Sequence, residues 1–151
     1  MIIASLDKNF ASESEFGKKD VVWLDVSDEP FEIYGLYDPK NNLPYIRMPR
    51  EVAKSVNENV VNLNAYTAGG RVRFSTDSPY IAIRVEASHP ELPAYMTFIL
   101  RCGFDLYSNQ DGFSSYVQTF IPPMQFEGSY TACNDSYTNG KLTDFTLNFP
   151  L

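Results

Sequence analysis

Apolar and polar side chains alternate with a period of two along most of this chain, and that alternation limits the fold more than any other feature. In "RVRFST" (71–76), Val72 and Phe74 fall on one side and Arg71 and Arg73 on the other. In "YIAIRVEA" (80–87), Ile81, Ile83 and Val85 oppose Arg84 and Glu86. Successive side chains of a strand point to opposite faces, so the pattern predicts strands with one buried and one solvated face. It recurs in "VVWLDV" (21–26), "FEIYGL" (31–36), "YIRM" (45–48), "SYVQTFI" (115–121), "SYTAC" (129–133) and "LTDFTLNF" (142–149). "YMTFILRCGFDLYS" (95–108) is long enough for a bent strand with Gly103 as its bulge. Turn residues separate the runs, as in "SDEP", "YDPKNNLP" and "NQDG". Helical spacing occurs in "PREVAKSVNENVVNLNAY", where Val56, Val60 and Leu63 fall at i, i+4 and i+7. Its asparagine density predicts at most one short helix near 50–64. About nine short strands at regular spacing predict an all-β antiparallel sandwich.

The 151 residues fit one domain, with 1–20 as a partly irregular N-terminal segment and 21–151 as the sandwich. A chain of this length buries roughly 68–70% of its unfolded surface, so it needs no disulfide staples. Cys102 and Cys133, 31 positions apart in apolar contexts, are accordingly read as buried free thiols. A net charge of −7 opposes nucleic acid and anionic membranes as partners, since both require a basic footprint. The N-terminal apolar run ends at Leu6 with acidic residues after it, unlike a signal peptide. No stretch approaches the ~20 apolar residues of a membrane span. A cytoplasmic location is the expectation.

Within "FSTDSPYIAIRVEASHP" (74–90), Asp77, Ser78 and His89 are the side-chain types of a hydrolytic triad. A strand between Ser78 and His89 would hold them about 25 Å apart, whereas a Ser–His pair needs about 3 Å. "TDSP" therefore reads as a turn in which Asp77 and Ser78 bond local backbone, and His89 as a solvent-exposed loop residue. Glu86 and His89 show Glu-x-x-His spacing, but no Gly-Asp-Ser block precedes them. No catalytic residue is predicted. One histidine and two distant cysteines make no zinc set, and neither "NQDG" nor "YDPKNN" has the ligand density of a calcium loop. No metal or cofactor is expected. "TAGGRVRF" has paired glycines without the Gly-Lys-Ser/Thr of a phosphate loop. The positive signal is an aromatic share of 15% with ten tyrosines, too many for the core alone. A tyrosine on a sheet face offers an apolar plate with a polar edge, which suits a sugar ring. Tyr37, Tyr45 and Arg47 are the candidate ligand contacts.

"GFDLY", from Gly103 through Phe104, Asp105 and Leu106 to Tyr107, resembles the Gly-x-Asp-Leu-Tyr signature of the domain found at the N-terminus of many SGNH (GDSL-like) hydrolases. "TAGGRVRFSTDS" is similar to that domain's Thr-Ala-Gly-Gly, Arg-x-Arg-Phe stretch, with Gly69, Gly70, Arg71, Arg73 and Phe74 in matching places. "WLDVSDEPFEIYGL" looks like its opening strands, and "YIRMP" like its Arg-Leu-Pro segment with Met48 in place of leucine. The resemblance spans residues 21–147. It implies a jelly-roll-like sandwich followed, in the parent protein, by an α/β catalytic domain of esterase or acylhydrolase type. That domain supplies the Gly-Asp-Ser-like and Asp-x-x-His blocks, neither of which occurs here. The resemblance thus implies a non-catalytic domain that packs on its catalytic partner and contacts a carbohydrate ester. A free-standing carbohydrate-binding module and a purely structural or interaction domain are the alternatives. Asp105 is expected to be structural, its carboxylate held by backbone N–H groups or by Arg101. The chain stops within the alternation of "LTDFTLNFPL", as if cut from a longer polypeptide. The isolated chain is expected to self-associate through an edge strand or a sheet face, residues 142–149 contributing.

Overall fold

The inward sides of the alternating runs meet in one core. Val72, Leu106, Phe120, Phe145 and Leu147 form its buried centre, and Ile33, Phe74, Ile81, Ile83, Val117 and Ala132 pack around it. The computed structural model describes residues 16–18, 21–87, 96–124 and 128–150. These contain seven strands: β1 (Glu32–Tyr34), β2 (Arg71–Thr76), β3 (Tyr80–Glu86), β4 (Phe104–Gln110), β5 (Phe113–Phe120), β6 (Ser129–Asp135) and β7 (Thr143–Asn148). A five-stranded antiparallel sheet runs in the order β1-β2-β7-β4-β5, and β3 pairs with β6 in a second sheet. Because Ile81, Ile83 and Ala132 of the small sheet pack on the core of the large one, the architecture is an all-β sandwich.

Two expected strands are replaced by other structure and a third is shortened. Residues 21–26 are extended but join no ladder: Val21 is buried, Val26 reaches the core, and Trp23 lies under the Arg84 guanidinium at 4.4 Å. Alternation reports which side of a segment is buried, not whether its backbone finds a partner strand. Residues 45–48 also lie outside any ladder, and Asn64 takes the place of a neighbouring strand. Its side-chain oxygen accepts from Arg47 N–H (3.1 Å) and Met48 N–H (2.8 Å), and its amide donates to the Met48 carbonyl (3.0 Å). The long strand expected over 95–108 is shortened by helix α3 (Phe98–Cys102); Gly103 N–H closes it on the Ile99 carbonyl at 2.7 Å.

Instead of one short helix near 50–64 there are two, α1 (Arg50–Val56) and α2 (Glu58–Leu63). Asn57 divides them in extended conformation while its side chain accepts from Val60 N–H at 3.0 Å, ending one helix and capping the next. The N-terminal segment 1–20 lies outside the described residues except for 16–18. No helix among the described residues is long and apolar enough to cross a membrane.

The entry to β2 depends on close backbone contact. Gly35 (φ +77°) lies against the carbonyl of Gly69 (φ +88°), and a Cβ on Gly35 would sit 2.1 Å from that oxygen. Both the left-handed backbone and the contact exclude a side chain. Gly35→Ala is expected to lower stability by about 3 kcal/mol or more in urea unfolding. Gly112→Ala, at a φ of +82° but with nothing within 4 Å, is expected to cost only the left-handed term, about 1–2 kcal/mol. Equal losses at the two positions would show that the crossing is not tight.

Candidate outer sheet face

Strand register places the motif side chains. Asp105 lies opposite Asn148 and Thr119, and Tyr107 opposite Thr146 and Tyr116, while Leu106 points inward with no exposed surface. Arg71 lies opposite Tyr34 and Asn148, and Arg73 opposite Glu32 and Thr146. Directly paired residues share a face. Arg71, Arg73, Asp105 and Tyr107, expected only as fold markers, therefore stand together on the outer face of the five-stranded sheet, while Phe74, Phe104 and Leu106 face inward.

Each residue of "GFDLY" has a mechanical reason. A Cβ on Gly103 would meet the Ile99 carbonyl at 2.6 Å and the Thr119 methyl at 3.2 Å. Its backbone is extended, so close approach rather than an unusual φ requires glycine. The bulge expected at Gly103 is instead on β5, where Val117 is the extra residue between the pairs Leu106↔Gln118 and Tyr107↔Tyr116. Phe104 meets Phe149 edge-on with centroids 5.4 Å apart, and Tyr107 meets Tyr116 at 5.7 Å. The Asp105 carboxylate accepts from the Thr119 hydroxyl at 2.6 Å, and Thr119 lies 2.9 Å from the Tyr116 hydroxyl. The expected Arg101 or backbone partner is thus replaced by a cross-strand hydroxyl. Arg101 is on α3, not on β4, so it does not share a strand face with Asp105. Together these contacts clamp β4 to β5 on both sides of the bulge.

The other candidates have different surroundings. Ser78 donates its hydroxyl to the Tyr80 carbonyl at 2.7 Å, as a turn requires, whereas the Asp77 carbonyl is held from a distance in sequence, accepting from the Thr138 hydroxyl at 2.9 Å. His89 lies outside the described residues. Tyr45 is half-buried against Phe149 (5.7 Å), and burial pushes its hydroxyl above the usual pKa. Arg47 donates to the Leu63 carbonyl at 2.6 Å, and Tyr37 N–H donates to the Ile46 carbonyl at 2.8 Å. These contacts hold the 37–47 loop in place. Cys102 and Cys133 are both free; Cys102 is buried as expected, whereas Cys133 is only half-buried. Desolvation raises both thiol pKa values. The buried Tyr130 hydroxyl donates to the Cys102 carbonyl at 2.7 Å.

A family model for the domain described as GxDLY, the N-terminus of SGNH hydrolase-type esterases, matches residues 21–151. The chain belongs to this family. The GxDLY domain is also similar to a crystal structure from Bacteroides ovatus ATCC 8483 described as a GDSL-like lipase, with a TM-score of 0.67 and 18% identity. The alignment covers 79% of the GxDLY domain and 34% of that chain, so the domain spans about a third of the longer protein. At this identity the likeness establishes the fold. Comparison with curated proteins finds no match.

Sequence reasoning missed the rest of this face. Glu32, Asn109, Ser114 and Asp144 join Arg73 there, around an open groove of about 590 Å³. The parity of Glu32 with Tyr34 was a readable signal, but its alignment with Asp144 and Asn109 needs the strand order. If the signature aspartate is a clamp, Asp105→Ala should cost about 1–3 kcal/mol in denaturant unfolding, and Asp105→Asn, which keeps an acceptor for Thr119, clearly less. An unchanged melting temperature in Asp105→Ala would remove the clamp.

Proposed function

We propose that this GxDLY domain is the non-catalytic N-terminal domain of an SGNH-type esterase or acylhydrolase, that it packs on the catalytic domain, and that it contacts the carbohydrate part of an ester substrate. The observation that carries the packing is the apolar surface of the helix pair. Val52 and Val56 stand one turn apart on α1, with Val56 59% exposed, and α2 also exposes Val61 and Leu63. These helices are tied to the C-terminal end of β7. Tyr66 N–H returns to the Leu63 carbonyl, the Thr67 hydroxyl donates to the Pro150 carbonyl (3.2 Å), and Phe149 N–H donates to the Gly70 carbonyl (2.9 Å). A catalytic domain following Leu151 would emerge next to this surface and could cover it at low entropic cost through a short connection.

The self-association expected of the isolated chain moves to the same place. Residues 142–149 cannot offer an unpaired edge, because β7 lies between β2 and β4 with both sides paired. Sedimentation of the 151-residue chain should show concentration-dependent association that Val56→Asp removes. In a polypeptide that includes the catalytic domain, amide exchange over residues 50–64 should slow at least tenfold relative to the chain alone, and Val56→Asp should abolish the difference. Equal exchange in both proteins would reject this docking surface. The chain alone should not hydrolyse p-nitrophenyl acetate above a denatured control; a saturable activity lost on Ser78→Ala would overturn the non-catalytic reading.

A further inference from the structure

We infer that the groove on the outer face of the five-stranded sheet binds a neutral oligosaccharide laid across the strands. The inference rests on the accessory-domain reading and gives the carbohydrate a place. The walls combine a cation, Arg73, with two carboxylates, Glu32 and Asp144, an amide, Asn109, and two hydroxyls, Ser75 and Ser114. Two carboxylates against one guanidinium disfavour an anion, and the desolvation of those three charged groups disfavours a wholly apolar ligand. A hydroxyl-rich ligand both donates and accepts at every position, so it matches this mixture of donors and acceptors.

The polar groups are held in place in part by one another: the Ser114 hydroxyl donates to the Asn109 side-chain oxygen at 2.5 Å. Glu32 is directly opposite Arg73, yet the Arg73 guanidinium lies over the Tyr34 ring at 5.3 Å, while the Tyr34 hydroxyl donates to the Glu32 carboxylate. Among the described residues the ion pairs are Lys18–Asp135 and Lys54–Glu51, so neither groove carboxylate is paired to Arg73. On the other side, Ser75 donates to Asp144 at 2.6 Å, and Asn109 is fixed by its donation to Thr146 at 2.9 Å. From Glu32 on β1 to Ser114 on β5 the groove crosses four interstrand steps, roughly 19 Å, longer than one ring. It lies toward the Asp144 end of β7, whereas the apolar helices are tied to the Phe149–Pro150 end.

The test is affinity electrophoresis of the 151-residue chain in native gels containing galactomannan, hydroxyethyl cellulose, arabinoxylan or polygalacturonate. At least one neutral polysaccharide should retard the chain. Arg73→Ala and Glu32→Ala should each weaken retardation at least tenfold, and Val56→Asp should leave it unchanged. Glu32→Ala removes an exposed side chain of the edge strand β1, so its melting temperature should match the parent even if Arg73→Ala disturbs the sheet. No retardation by a neutral polymer, retardation by polygalacturonate alone, or retardation indifferent to Glu32→Ala would overturn the inference. Loss of retardation with the exchange protection of residues 50–64 retained rejects the groove alone. Retardation without that protection rejects the docking surface alone.

Discussion

β7 is the last strand of the sandwich in sequence and the middle strand of its larger sheet. Every other feature of that sheet depends on it. It joins the β1–β2 ribbon to the β4–β5 hairpin, and neither of those has a second neighbour without it. Inward, Phe145 and Leu147 complete the core; outward, Asp144, Thr146 and Asn148 fill the gap between the arginines of β2 and the signature residues of β4. The pairing joins residues nearly half the chain apart, as in the Ser75–Asp144 bond, so loop-closure entropy must be offset by burial before the sheet closes. Isolated two-stranded ribbons are marginal in water, which makes this central strand the condition for the rest.

The family signature looks different once it is placed on that sheet. "GFDLY" resembles a site in sequence because it mixes glycine, a carboxylate and a phenol. In the structure those groups solve a mechanical problem: β5 carries one residue more than β4, and Asp105–Thr119 and Tyr107–Tyr116 hold the two strands in register on either side of it. The same register has a chemical consequence. By fixing which residues of β4 face outward, it sets Asn109 beside Asp144 and completes the groove with Arg73 and Glu32. A structural clamp and an open groove thus share one face without sharing residues.

Local chemistry carried much of the fold. β2, β3 and β7 follow the alternating runs to within a residue or two, because each has one buried face and a turn at each end. The errors have a common cause. Period-two alternation cannot distinguish a paired strand from an extended strap, so residues 21–26 and 45–48 read as strands although Asn64, rather than a neighbouring strand, satisfies the backbone of the second. An apolar run such as "FILRC" has no polar face to reveal its period, so α3 was not readable. The division at Asn57 was hidden because one side chain both interrupts and caps.

For the candidate site, sequence determined the side of each strand on which a residue lies: Arg71 with Arg73, Asp105 with Tyr107, each pair opposite its apolar neighbours. That information is local, since a strand's geometry alone sets it. Which strands lie side by side, and therefore that Glu32, Arg73, Asp144 and Asn109 meet, was decided only when β7 entered between β2 and β4. The same holds for the apolar helices beside Pro150. Neighbours across a sheet are chosen by the burial of a shared core, and no stretch of sequence contains both partners of such a choice.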